Sequence, residues 1–210
     1  MAIALDSMVL NTTLSQQPRV SDSIKADQAT GAFDLASQRI GQQASATNVQ
    51  LSAFGQVKSS FVDIQSAAKS LSAPGKSSTT EDITKAVQSF ADTLNNAAKA
   101  VAVAKGDGGP AGALANDAHA NFAAFDLKKI VAGGNNTTDL KKIGISVNPD
   151  GTLSVDTQAL QSALQANPNS VQDTLARVGT QAAQVSQQEL AGSGNKTAGG
   201  IAAYTQMLTL

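Results

Sequence analysis

The chain contains no cysteine, which removes disulfides, thiolate metal sites and a cysteine nucleophile together. Aromatic residues make up only 3% of it, and much of the 41% apolar content is alanine. That composition suits long thin helices better than a deep globular core. Neither sign of charge is in excess, with 15 basic against 16 acidic residues for a formal charge of −1. No basic stripe therefore exists to neutralise phosphates, which argues against nucleic acid as a partner. Long apolar runs are missing too, and no segment approaches the roughly 20 apolar residues that a bilayer span needs. Met1 to Val20 lacks a basic head and is interrupted by Asp6, Asn11, Thr12 and Thr13, so it is no Sec signal peptide. The expectation is a soluble chain that starts life in the cytoplasm.

Histidine is almost as scarce. His119 stands alone, and a lone imidazole cannot build a His-based metal site; a solvated or half-buried helix residue is expected. Asp107 amid Gly106, Gly108 and Gly109 suggests a phosphate-cradling loop only superficially, since no Gly-Lys-Ser/Thr follows and no strand precedes. A helix stop is the better reading. Asn148, Asp150 and Asp156 lack the twelve-residue spacing and terminal Glu of a calcium loop. Serine is plentiful, but no Gly-x-Ser-x-Gly elbow is present, and a triad would have to recruit His119. The reading is no enzyme, no cofactor and no metal.

What is there is helical periodicity. At 210 residues the chain can make one ordinary domain or two small ones. Residues 1–31, rich in Ser, Thr, Gln and Asp, follow no sustained period and read as a mobile tail. From Phe33 to Ser72, Ile40, Ala44, Thr47, Leu51, Phe54, Phe61, Ala68 and Leu71 fall largely on one seam of 3.5 residues. Such a helix is roughly 60 Å long at a rise of about 1.5 Å per residue, and its narrow apolar stripe needs a partner. Pro74 and Gly75 stop it. Thr79 and Asp82 form a capping box, and Ile83, Val87, Phe90, Leu94, Ala97 and Val101 make a second heptad seam. Phe54, Phe61 and Phe90 fall on the seams and read as packing residues. Residues 32–105 are thus expected to form an antiparallel coiled-coil hairpin.

Residues 106–190 read as a small α+β head. A third amphipathic stretch runs from about Ala111 to Val131 with Leu114, Ala118, Phe122, Phe125 and Ile130 as its inward set, and residues 133–138 read as a surface loop. Ile143, Ile145 and Val147, then Asn148-Pro149-Asp150-Gly151, then Leu153 and Val155, spell a β-hairpin. Asp156 caps a helix carrying Leu160, Ala163 and Leu164; Asn167-Pro168 closes it, and another helix follows through Val171, Leu175, Val178, Ala182 and Val185. Residues 191–200 hold several glycines and read as a breaker, which makes 191–210 a flexible carboxy-terminal segment. The fold class expected is mainly α: a long helical hairpin stalk with a small α+β head containing one β-hairpin.

Within that head, Leu140, Ile143-Gly144-Ile145, Asp150-Gly151-Thr152-Leu153, Asp156, Ala163-Leu164 and Asn167-Pro168 together resemble the carboxy-terminal inner domain of the flagellar hook-associated protein 2 family, the filament cap. The motif positions carried over are Gly144, Asp150, Gly151, Leu153, Asp156, Leu164 and Pro168. Gln50-Leu51-Ser52-Ala53-Phe54-Gly55 and Val87-Gln88-Ser89-Phe90 are similar to the helices that flank the family's outer domains. Only residues 74–79 stand between them here, and the family's long closing helix is expected to be missing. The resemblance implies a non-enzymatic assembly protein that self-associates as a homo-oligomer or docks onto flagellar axial proteins such as flagellin or hook-associated proteins. It also implies export by the flagellar type III route to an extracellular place on the flagellum. A secreted surface adhesin and a flagellar export chaperone are the alternatives. The seam residues expected to carry the packing are Leu51, Phe54, Phe61, Ile83, Val87, Phe90 and Leu94.

Overall fold

The computed structural model describes the backbone of residues 20–72, 78–107, 112–115, 117–133 and 136–207, with side chains from residue 30 to residue 192 in those ranges. In chain order the elements are α1 (Val20–Ser72), α2 (Thr80–Lys105), α3 (Ala118–Ala132), α4 (Asn136–Lys142), β1 (Ile145–Val147), β2 (Leu153–Val155), α5 (Thr157–Ala166) and α6 (Pro168–Met207). The mainly α class with one β-hairpin is as expected. Much of the expected tail, residues 1–19, lies outside the described residues, but Val20 to Gly31 are already helical in α1.

The chain divides into two compact units, residues 1–48 and 49–210. In the first, the described side chains from Thr30 onward are exposed apart from a half-buried Thr47, whose hydroxyl donates to the Gln43 carbonyl at 2.9 Å. Phe33, Leu35 and Ile40 are more than half exposed. This part of the expected seam is therefore not buried.

The second unit has one continuous core. It runs from Val57, Phe61, Ile64, Ala68 and Leu71 of α1 through α2 to Leu127 and Ile130 of α3, Leu153 of β2, Leu160 and Leu164 of α5, and Leu175 and Val178 of α6. α2 packs on α3, β2 and α5, while α6 packs on α3, α4 and α5. A boundary at 105/106 between stalk and head has no counterpart in this packing, because the α2 seam that was expected to serve the stalk also floors the hairpin. α1 and α6 meet closely at Gly179, where an added Cβ would lie 2.7 Å from the Ala68 carbonyl oxygen. Backbone cannot yield that space, so glycine permits the approach.

Local chemistry explains the ends. Thr79 and Asp82 close the capping box of α2, with the Asp82 amide donating to Thr79 Oγ1 and the Thr79 amide to Asp82 Oδ2, each at 3.1 Å. At the other end Gly106 adopts φ 78°, and the amides of Gly106 and Asp107 return to the carbonyls of Val103 and Ala102. Those two bonds make a Schellman stop, as the Gly106–Asp107 stretch led us to expect.

Three stretches differ from their reading. α3 begins only at Ala118, capped by Asp117, and it buries Ala120, Ala123, Leu127, Ile130 and Val131 while Phe122 and Phe125 remain 59% and 64% exposed. Small alanines let α3 sit close to its neighbours, whereas the expected inward set required the two rings to fit there. The loop at 133–138 gives way at Asn136 to α4, whose side-chain bonds are described below. Residues 191–207 continue α6 as helix, so a long closing helix is present. Glycine costs about 1 kcal/mol relative to alanine in a helix without forbidding it.

Candidate functional site

The stretch from Leu140 to Pro168 forms a braced unit. β1 and β2 pair antiparallel, with Ile145 opposite Val155 and Val147 opposite Leu153. The Gly151 amide donates to the Asn148 carbonyl at 2.9 Å and the Asn148 amide to the Thr152 carbonyl at 2.8 Å. Gly151 takes φ 87°, which gives a type I turn followed by a left-handed residue. Asp150 Oδ1 fixes this turn by accepting from the Thr152 amide at 2.9 Å and from its hydroxyl at 2.6 Å. Those bonds hold the Asp150 carboxyl below its ordinary value of 3.8.

Gly144 enters β1 at φ 85°, and an added Cβ would lie 2.8 Å from the Ala159 Cβ and 2.9 Å from the Asp156 carbonyl oxygen. The Asp156 amide donates to the Gly144 carbonyl at 2.8 Å, while Asp156 Oδ1 accepts from the Gln158 and Ala159 amides, both at 3.0 Å. Leu153 and Leu164 are buried, and Pro168 is the first residue of α6 behind Asn167, whose side chain accepts from the Ser170 amide at 3.2 Å. The motif residues are thus brought together as the scaffold of the hairpin and its following helix.

Two polar devices escaped the sequence reading. Asn95 of α2 donates from Nδ2 to the Leu153 carbonyl at 2.9 Å and accepts from the Leu153 amide at 2.7 Å, which replaces a missing neighbour for β2. Next to Asn96, and with Asp92 and Lys99 one turn either side, Asn95 carried no signal of its own in the sequence. Asn136, 2% exposed, donates to Gln181 Oε1 at 2.7 Å, and Gln181 Nε2 donates to the Lys129 carbonyl at 2.9 Å. Arg177 adds an ion pair to Asp139 at 2.6 Å. Asp139 is held below its ordinary value by its bond to Lys142 and then by Arg177. These bonds tie α3 and α4 to α6.

Of the seam residues, Phe61, Ile83, Val87, Phe90 and Leu94 are buried. Phe54 is half-buried, its ring 5.9 Å from that of His119 in an edge-on contact. Leu51 is 44% exposed, which corrects its place on a buried seam: α1 has no buried residue before Val57 among those described.

Part of the surface left open is apolar helix face. Besides Phe122 and Phe125 of α3, the second unit exposes Val49, Leu51 and Val62 of α1 and Val103 of α2. Phe122 and Phe125 lie three residues apart on one face of α3. A groove of about 600 Å³ lies between Lys129 of α3 and Arg177, Thr180, Gln181, Gln184 and Gln188 of α6. Its lining is chiefly amide and alkyl. Among the described residues no group of three His, Asp or Glu side chains is placed to hold a metal, and no helix is long and apolar enough to cross a membrane.

Comparison with known proteins bears on this arrangement directly. The sequence profile of the flagellar hook-associated protein 2 C-terminus matches residues 75–206, a range that contains the whole braced hairpin, α2 and nearly all of α6. No curated protein and no solved structure gives a match.

Proposed function

Because the chain belongs to the flagellar hook-associated protein 2 family, we propose that it is a non-enzymatic structural component of the bacterial flagellum that works through its helix faces, by self-association or by docking onto axial subunits. The observation that carries the proposal is the outward-facing Phe122–Phe125 pair on α3. Half of the six phenylalanines, Phe33, Phe122 and Phe125, are exposed in a chain with 3% aromatic residues. Aromatic side chains are enriched in buried interface cores, and leaving them in water forgoes roughly 1.5–3 kcal/mol for each one that a partner would bury. The same reading places the protein outside the cell on the flagellum, exported by the flagellar route, with flagellin or hook-associated proteins as the partners.

Light scattering across a concentration series tests the first mode, and co-sedimentation with purified flagellin and hook-associated subunits tests the second. A multimer or a complex that the double substitution Phe122→Ser, Phe125→Ser dissolves, with the helical signal intact, is the expected result. A monomer at every concentration that also fails to co-sediment would overturn the proposal.

A further inference from the structure

One side of α3 is turned away from the core along the whole length of the helix. Ala118, Phe122, Phe125, Lys129 and Ala132 recur at steps of four, three, four and three residues, and all five are exposed. They lie opposite the side that buries Ala120, Ala123, Leu127, Ile130 and Val131. That spacing is the seam of a two-helix contact, and the exposure means that no described element of this chain covers it.

Charge is unevenly spread along the same side. Asp117 caps the amino end, its carboxylate accepting from the His119 and Ala120 amides at 2.7 and 3.2 Å. Lys128 and Lys129 stand toward the carboxyl end, exposed and without an ion pair among the described residues. The two phenyl rings lie between these ends. A partner for such a face needs large apolar anchors for the rings, a small residue to admit the Lys129 stem, and a carboxylate to meet an ammonium. The face itself carries all three.

We infer that α3 pairs antiparallel with α3 of a second copy, about a two-fold axis that passes between Phe122 and Phe125. In that register Phe122 meets Phe125 of the other copy, Ala118 meets Lys129, and Lys128 reaches toward Asp117. Each contact occurs twice, as an isologous interface requires. A parallel pairing would instead gather four lysines at one end, where like charges oppose association. The pairing rests on the self-association reading above and adds to it a partner surface, a direction and a register.

Because the chain has no cysteine, introduced single cysteines report the register without background. Ala118→Cys and Lys129→Cys are prepared separately in the full chain and treated, each alone and as an equimolar mixture, with a bismaleimide that spans the about 8–10 Å between packed helix axes. Like positions are roughly 16–17 Å apart along the axis in this register, at about 1.5 Å per residue. Cross-linked dimer is therefore expected from the mixture and from neither variant alone. Adding Phe125→Ser to both variants, with the helical signal intact, is expected to lower the yield by about tenfold or more. Cross-linking of either variant with itself would overturn the antiparallel register. A multimer by light scattering that gives no cross-link in the mixture would overturn the α3 pairing and leave self-association to another face. A monomer at every concentration would overturn both.

Discussion

Asn95 supplies from a helix both hydrogen bonds that a third strand would make to Leu153, and Asn95→Ala isolates the worth of that substitution for a strand. A net intramolecular hydrogen bond contributes about 0.5–1.5 kcal/mol, and a buried group left without a partner costs about 1–3 kcal/mol. Two bonds of 2.9 and 2.7 Å are lost together, and Leu153 is 5% exposed, so water reaches its orphaned amide and carbonyl poorly. The loss should be about 2–3 kcal/mol. At about 2–4 °C per kcal/mol for a chain of this size, the melting temperature drops by roughly 4–12 °C. Urea unfolding with amide exchange at Leu153 reads both the global and the local effect. Asn95→Asp is the control: its carboxylate still accepts from the Leu153 amide but turns a second oxygen on the Leu153 carbonyl, and protonation restores a donor, so its deficit should shrink in acid. A stability change under about 0.5 kcal/mol in Asn95→Ala, with Leu153 exchange unaltered, would refute the strand-mimic argument.

Gly144→Ala forces a Cβ onto a residue at φ 85° and within 3 Å of Ala159 and Asp156; it should destabilise by about 1–3 kcal/mol, visible as a lower urea midpoint, and wild-type behaviour would mean that α5 can move aside. Asp156→Ala removes the acceptor for two amides at 3.0 Å and should cost about 1 kcal/mol, with Asp156→Asn restoring most of it in the same assay. Asp82, Asp139 and Asp150 are all held below 3.8, so the stability they contribute is complete above that value and lost as pH falls through their folded range. Acid unfolding should therefore begin below about pH 3.8, and Asp150→Asn, which removes one of the three, should make the limb shallower.

How much of this was legible differs by residue. Ile83, Val87, Phe90 and Leu94 recur at heptad spacing and are buried, because a single helix face meets the core along the whole of α2. The hairpin was legible through Pro149, Asp150 and Gly151, since turn chemistry is local. α3 was not, because Phe122 and Phe125 with Leu114 and Ile130 make as good a stripe as Ala120, Ala123, Leu127 and Ile130. Hydrophobicity ranks the first set higher; close approach selects the second. Asn95 and Asn136 were not legible for a related reason, as their partners are a strand edge and a glutamine in the middle of α6, both distant in sequence.

The same limit shapes the functional reading. Periodicity announces that a face is apolar but not what covers it, and so Leu51 and Phe61 looked equivalent on one seam. In the structure Phe61 is fully buried, while Leu51, less than three turns earlier, is 44% exposed. The difference is occupancy rather than composition: from Val57 onward the other helices of the second unit supply the covering surface. Apolar residues at 49, 51 and 62 in α1 and at 122 and 125 in α3 satisfy the helical pattern without satisfying it internally. In a chain that belongs to the flagellar hook-associated protein 2 family, an apolar pattern unspent on its own core is where the proposed contact with another subunit would have the most free energy to gain.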